Sequence, residues 1–277
     1  MSYATLTVQL ELGRSNAAPL RVTRILAGKM GAAVTGLAAA QPIQWVVGDG
    51  FYGADIVQQD TRLLEEEAKA AEQEFHEAMD GGGAALDWKL AVTLYPLSDK
   101  IAALTADADL IVAGIDHGDG GSVKSARQVD LGDLACQAGR PLLAVPLSVK
   151  HFDFRRALVA WKETREARRA LADALPLLRK MERVEVVEIA GEADHDAARA
   201  GVDRVVGWLG RHGIVASGAV VSPEGNDADH LLSIAAKRGA ELIVAGAYGH
   251  SRLREWVLGG VTRDLLRRSR RCLFLSH

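Results

Sequence analysis

Short apolar runs alternate with longer mixed stretches along the whole chain. A run such as Leu242, Ile243, Val244, Ala245 is continuously apolar, as expected for a strand covered on both faces of a parallel sheet. The longer stretches place apolar residues at helical spacing, as with Val261, Leu265 and Leu266. In the first half this pattern predicts strands near 4–10, 33–39, 87–92, 109–113 and 141–145, with helices near 18–30, 56–79, 98–105 and 125–138. The second half repeats the order, with strands near 156–160, 183–189, 214–220, 241–245 and 271–275 and helices near 164–179, 194–211, 226–238 and 259–269. Strand–helix alternation implies an α/β fold, with a doubly wound parallel sheet, right-handed crossovers and helices on both faces.

Internal repetition divides the chain. DADLIVAG at 107–114 recurs as GAELIVAG at 239–246, and LGDLACQAGRPLLAV at 131–145 parallels TRDLLRRSRRCLFL at 262–275. A period near half the chain marks a duplicated domain rather than a solenoid. Two tandem Rossmann-like domains are expected, over 1–148 and 152–277, joined through PLSVKHFDF. The apolar last strand of each half would be hazardous as a free edge. The halves are therefore expected to pair with each other, and the whole chain to form a homodimer.

Composition narrows the class of function. With 48% hydrophobic and 25% charged residues and seven prolines, the chain reads as ordered and globular. A net charge of −3 offers no bulk attraction to nucleic acid or anionic lipid, so neither is expected as a partner and anion binding must be local. The opening MSYATLTVQLELG alternates like a strand and lacks the features of a signal peptide. No run approaches the ~18 apolar residues of a membrane-spanning helix. Cys136 and Cys272 have neither metal-binding nor CxxC spacing. A cytoplasmic location fits these features.

The most informative stretch is AELIVAGAYGHSRLREWVLGGVTRDLL. A buried strand ends at Gly246, Gly249 follows, and Gly259, Gly260, Val261 and Thr262 open a helix. Gly246 and Gly249 permit positive φ and leave no Cβ between backbone N–H groups and a phosphate. The unpaired N–H groups and positive dipole end of the helix suit the same anion. The spacing G-x2-G-x9-G followed by a small residue resembles the ATP-binding motif of the universal stress protein family. The resemblance is close over about the last forty residues, including the terminal Ser-His, and looser elsewhere.

That resemblance implies strand order 3-2-1-4-5 in each half, with the ligand at the ends of strands 1 and 4, where the winding reverses. The other wall of the pocket is then LVAWKETREARRAL, from Ala160 onward. Lys162 stands where the family has an aspartate, and Thr164 where it has a serine. A lysine can meet phosphate but cannot accept a hydrogen bond. Thr164 also suits a helix N-cap, and Trp161 reads either as core packing or as an adenine stacking surface. His250 and Arg252 lie within the glycine motif, where the family often touches phosphate or ribose. The candidate nucleotide site is thus Ala160, Lys162, Thr164, Gly246, Gly249, His250, Arg252, Gly259, Gly260, Val261 and Thr262.

The first half departs further from the motif. His117 replaces the second glycine, Asp116, Asp119 and Asp130 would repel a triphosphate, and Glu11 retains a carboxylate after strand 1. This half reads as a degenerate copy, although Gly118, Gly120, Gly121 and Ser122 leave open a small anion nest. Asp194, His195 and Asp196 are consecutive and diverge on a helix, which makes a poor chelate. The acidic run within 55–79 and the arginines from Arg263 to Arg271 read as solvated helix faces. The resemblance implies binding of ATP or another adenine nucleotide, with or without Mg2+, in a regulatory role with at most weak hydrolysis. A nucleotide-free interaction scaffold and a slow ATPase or adenylating enzyme are the alternatives.

Overall fold

A computed structural model of the chain describes residues 2–42, 54–117, 128–247 and 260–277, with side chains from 58 onward in the second stretch. The first half runs β1 (Thr5–Leu10), α1 (Ala17–Met30), β2 (Ala33–Ala40), α2 (Ala54–Met79), β3 (Leu86–Val92), α3 (Leu97–Leu104), β4 (Leu110–Ile115), α4 (Leu131–Gln137) and β5 (Leu142–Pro146). The second runs β6 (Arg156–Ala160), α5 (Arg165–Asp173), α6 (Leu175–Leu178), β7 (Arg183–Ile189), α7 (His195–Arg211), β8 (Ala216–Val221), α8 (Asp227–Lys237), β9 (Leu242–Gly246), α9 (Gly260–Arg268) and β10 (Cys272–Ser276).

The strands follow the order β3-β2-β1-β4-β5-β10-β9-β6-β7-β8. Each half therefore has the expected 3-2-1-4-5 arrangement, and every pairing within a half is parallel. The two five-stranded sheets do not stand apart. β5 and β10 pair antiparallel, with Leu273 opposite Ala144 and Leu275 opposite Leu142, so each apolar edge covers the other in one ten-stranded sheet. Tyr3 of the first half ties this seam by donating its hydroxyl to the Asp173 carbonyl at 2.7 Å. Ser276 donates to the Asp173 carboxylate at 2.6 Å. In the segment joining the halves, Phe152 and Phe154 are buried, their rings edge to face at 5.0 Å.

Local chemistry explains the element boundaries that differ from expectation. The helix expected from 125 begins at Leu131, because the Asp130 carboxylate accepts from the N–H groups of Gly132 and Asp133 at 2.9 and 3.2 Å and caps it there. The single helix expected over 164–179 breaks at Ala174, since Pro176 has no N–H to continue the ladder. On α2, Leu64, Ala71 and Phe75 are buried, while Leu63 is 47% exposed. Glu74, expected on the solvated face, instead accepts from the Asn16 N–H at 2.9 Å. Asp194 closes a short 3-10 turn at the start of α7.

Candidate functional site

The winding of the second half reverses between β6 and β9, and a cavity of about 390 Å3 opens at their carboxyl ends. Ala160, Lys162, Thr164, Gly246, Gly260, Val261 and Thr262 all line it. Gly249, His250, Arg252 and Gly259 lie outside the described residues, as do Gly118, Gly120, Gly121 and Ser122.

Thr164 takes the role of a cap. Its Oγ1 accepts from the Ala167 N–H at 3.2 Å, which starts α5 at the mouth of the cavity. Gly246 is present for a reason different from the one expected. Its φ is not positive. A Cβ there would lie 2.7 Å from both the Ala167 nitrogen and the Glu166 carbonyl carbon, so the absent side chain lets α5 cross the end of β9. Gly260, Val261 and Thr262 are the first three residues of α9. Two helix starts, of α5 and α9, therefore border one cavity, and the positive ends of their dipoles favour an anion there.

The opposite wall is apolar. Val187 and Ile189 at the end of β7, with Leu231 and Ala245, offer a surface for a flat ring. Asp227 and the buried Glu166 add carboxylates. Lys162 is exposed at the rim. Burial raises the carboxyl pKa of neighbouring Glu188, the Lys162 charge opposing that rise and Glu163 adding to it. Trp161 is 6% exposed and lines the cavity from the core. Among the described residues no group of three His, Cys, Asp or Glu side chains is placed to hold a metal ion. Nor is any helix among them long and apolar enough to cross a membrane.

The same place in the first half is lined by polar and charged residues. The register β1–β4 matches β6–β9, so Gln9 stands where Ala160 does, and Glu11 falls at the position of Lys162. Gln9 is 1% exposed, and its amide donates to the Leu10 carbonyl at 3.0 Å. Arg14 pairs with Asp116 and lies 3.8 Å from Glu11. With its amide turned to accept, Gln128 takes two further bonds from Arg14 at 2.8 and 2.9 Å. Asn16 then locks the loop, accepting from the Glu11 N–H at 2.8 Å and donating to the Glu11 and Arg14 carbonyls at 3.1 Å. Asp116 and Asp130, expected to repel phosphate, answer an arginine and a helix start. Burial raises the Glu11 carboxyl pKa, Arg14 opposing and Asp116 reinforcing.

A doubly wound α/β sheet with a cavity at the switch point, bordered by two helix starts, belongs to the class of folds that receive anionic ligands at the carboxyl ends of their strands. Residues 153–271 match the family model of the universal stress protein family, and this half is a universal stress protein domain within a tandem chain. In overall structure the chain is similar to a universal stress protein from Archaeoglobus fulgidus DSM 4304, at 16% identity over 98% of this chain and 95% of that one, with a TM-score of 0.73. It is also similar to a functionally unknown protein from Pseudomonas aeruginosa PAO1, at 14% identity over 99% and 92%, with a TM-score of 0.61. At these identities the likeness is one of fold. A search among curated proteins returned no match.

Sequence reasoning missed Val187, Ile189, Leu231, Asp227 and Glu166. The first three read as ordinary core positions, and only the strand order puts them beside the cavity. Asp227 and Glu166 carry a weak signal, an acid in the first turn of a helix that follows a strand.

Proposed function

We propose that the second half binds an adenine nucleotide, ATP or a close relative, in the cavity at the ends of β6 and β9, in a regulatory rather than catalytic role. The observation that carries this reading is the convergence of two helix starts and an apolar wall on one cavity. The helix starts and Lys162 suit phosphate, while Val187, Ile189 and Leu231 suit a base. Gly249, His250, Arg252 and Gly259 enter the proposal from the motif alone, and Mg2+ would arrive with the phosphates.

On this reading the chain divides into a domain over 1–148 that has lost the site and one over 152–277 that keeps it. A nucleotide-responsive protein of the cytoplasm, forming a homodimer through surfaces outside the β5–β10 seam, completes the proposal. Titration calorimetry of the full chain with ATP tests it, with one site per chain expected and phosphate release no faster than background. Absence of binding would leave an interaction scaffold as the better reading, and sustained phosphate release would favour an enzyme.

A further inference from the structure

A second cleft, also of about 390 Å3, lies between α5 and α7 on the other side of the Trp161–Thr164 loop. Two indoles, Trp161 and Trp208, form part of its lining, and the arginines 168, 204 and 211 surround them. Glu163 answers two of the three, with Oε1 2.5 Å from Arg168 Nη1 and Oε2 3.4 Å from Arg204 Nη2. Arg211 has no ion pair among the described residues. The cleft thus carries a local excess of positive charge in a chain whose net charge is −3.

The indole of Trp161 supplies a second, independent observation. Its Nε1 is buried and lacks an acceptor among the described residues, while the residue is only 6% exposed. A Cβ built at Gly201 of α7 would lie 3.8 Å from that nitrogen. Gly201 lines this cleft and not the nucleotide cavity, so the N–H points to the α7 side. A buried donor without a partner is uncommon in folded proteins and calls for an acceptor.

We propose that this cleft is a second ligand site, for a small aromatic anion. Guanidinium groups take carboxylate or phosphate oxygens in paired, charge-assisted hydrogen bonds. Indole faces pack against a planar apolar body, and the volume falls within the usual range for small-molecule sites, roughly 300–1,000 Å3. Trp161 is a wall of both cavities, so the two ligands would sit on opposite sides of one strand end.

The proposal does not rest on the nucleotide reading and is tested with the full-length chain. Titration calorimetry with 2-naphthoate should give one site per chain, at least tenfold tighter than for the neutral 2-naphthamide. The double variant Arg204→Gln/Arg211→Gln, at exposed positions, should melt like the parent and bind 2-naphthoate at least tenfold more weakly. Gly260→Asp, in the other cavity, should leave that affinity unchanged, and saturating ATP should not displace the probe. Four results would overturn the assignment: no binding at millimolar probe, equal affinity for the amide, an unchanged affinity in the double variant, or loss of probe binding through Gly260→Asp or ATP. A chain that fails to bind ATP but binds 2-naphthoate in this pattern would refute the nucleotide reading alone.

Discussion

Replacing Gly260 by aspartate separates anion binding from folding. Among the described residues nothing lies within 4 Å of a Cβ built there, so none of them obstructs a side chain. The position begins α9, where a negative charge interacts favourably with the helix dipole by about 0.3–1 kcal/mol, and aspartate forms helix slightly better than glycine. The fold should lose nothing, and the melting temperature should stay level or rise slightly by circular dichroism. Binding should respond the other way. A carboxylate about 5 Å from a bound phosphate, at an effective dielectric constant of about 20, costs on the order of 3 kcal/mol per unit charge. That weakens affinity more than a hundredfold. Gly260→Ala makes the same backbone change without charge and should bind ATP within a few-fold of the parent. The difference between the two variants should shrink as salt is added. An aspartate variant that binds ATP normally, or an alanine variant that loses as much, would refute the placement of phosphate at the start of α9.

Gly246→Ala should destabilise the chain by about 1–3 kcal/mol in denaturant titration, because its Cβ would meet backbone atoms of α5 at 2.7 Å. Gly114→Ala, whose nearest neighbour is the flexible end of Leu147 at 3.3 Å, should cost clearly less, and equal losses would contradict the packing account. Cys272 is fully buried and burial pushes its thiol up to about 12. At pH 8 it should resist iodoacetamide until the chain unfolds, while the partly exposed Cys136 reacts in the native state; mass spectrometry of the labelled peptides would reveal the opposite order. Residues 1–148 expressed alone would leave β5 as an apolar free edge, and light scattering should find self-association rather than a stable monomer.

The parallel sheet was legible in the sequence because its central strands are continuous apolar runs, and because 107–114 and 239–246 repeat each other. The glycine motif pointed to the end of the sheet at which the β6–β9 cavity opens. Gly246 illustrates where such reading stops, since the motif supplies the glycine but not its cause, the crossing of α5 over β9. Gln9 and Arg14 show the same limit from the other half. A degenerate site there was expected from missing glycines, whereas the side chains that stand at the end of β1 are polar residues of a kind found on any loop. The α5–α7 cleft had no sequence signal, because Arg168, Arg204 and Arg211 each look like solvated helix positions until the two helices are set side by side.

The antiparallel pairing of β5 with β10 has a further consequence. Two separate chains meeting at a two-fold axis must present identical surfaces, so any change in one appears in the other. Joining them in one chain removes that constraint, and it replaces an encounter that depends on concentration by an intramolecular one that does not. Gln9 and Glu11 can then stand in one half where Ala160 and Lys162 stand in the other. Every molecule carries one of each, in fixed proportion, at any dilution, with no exchange of partners to average them.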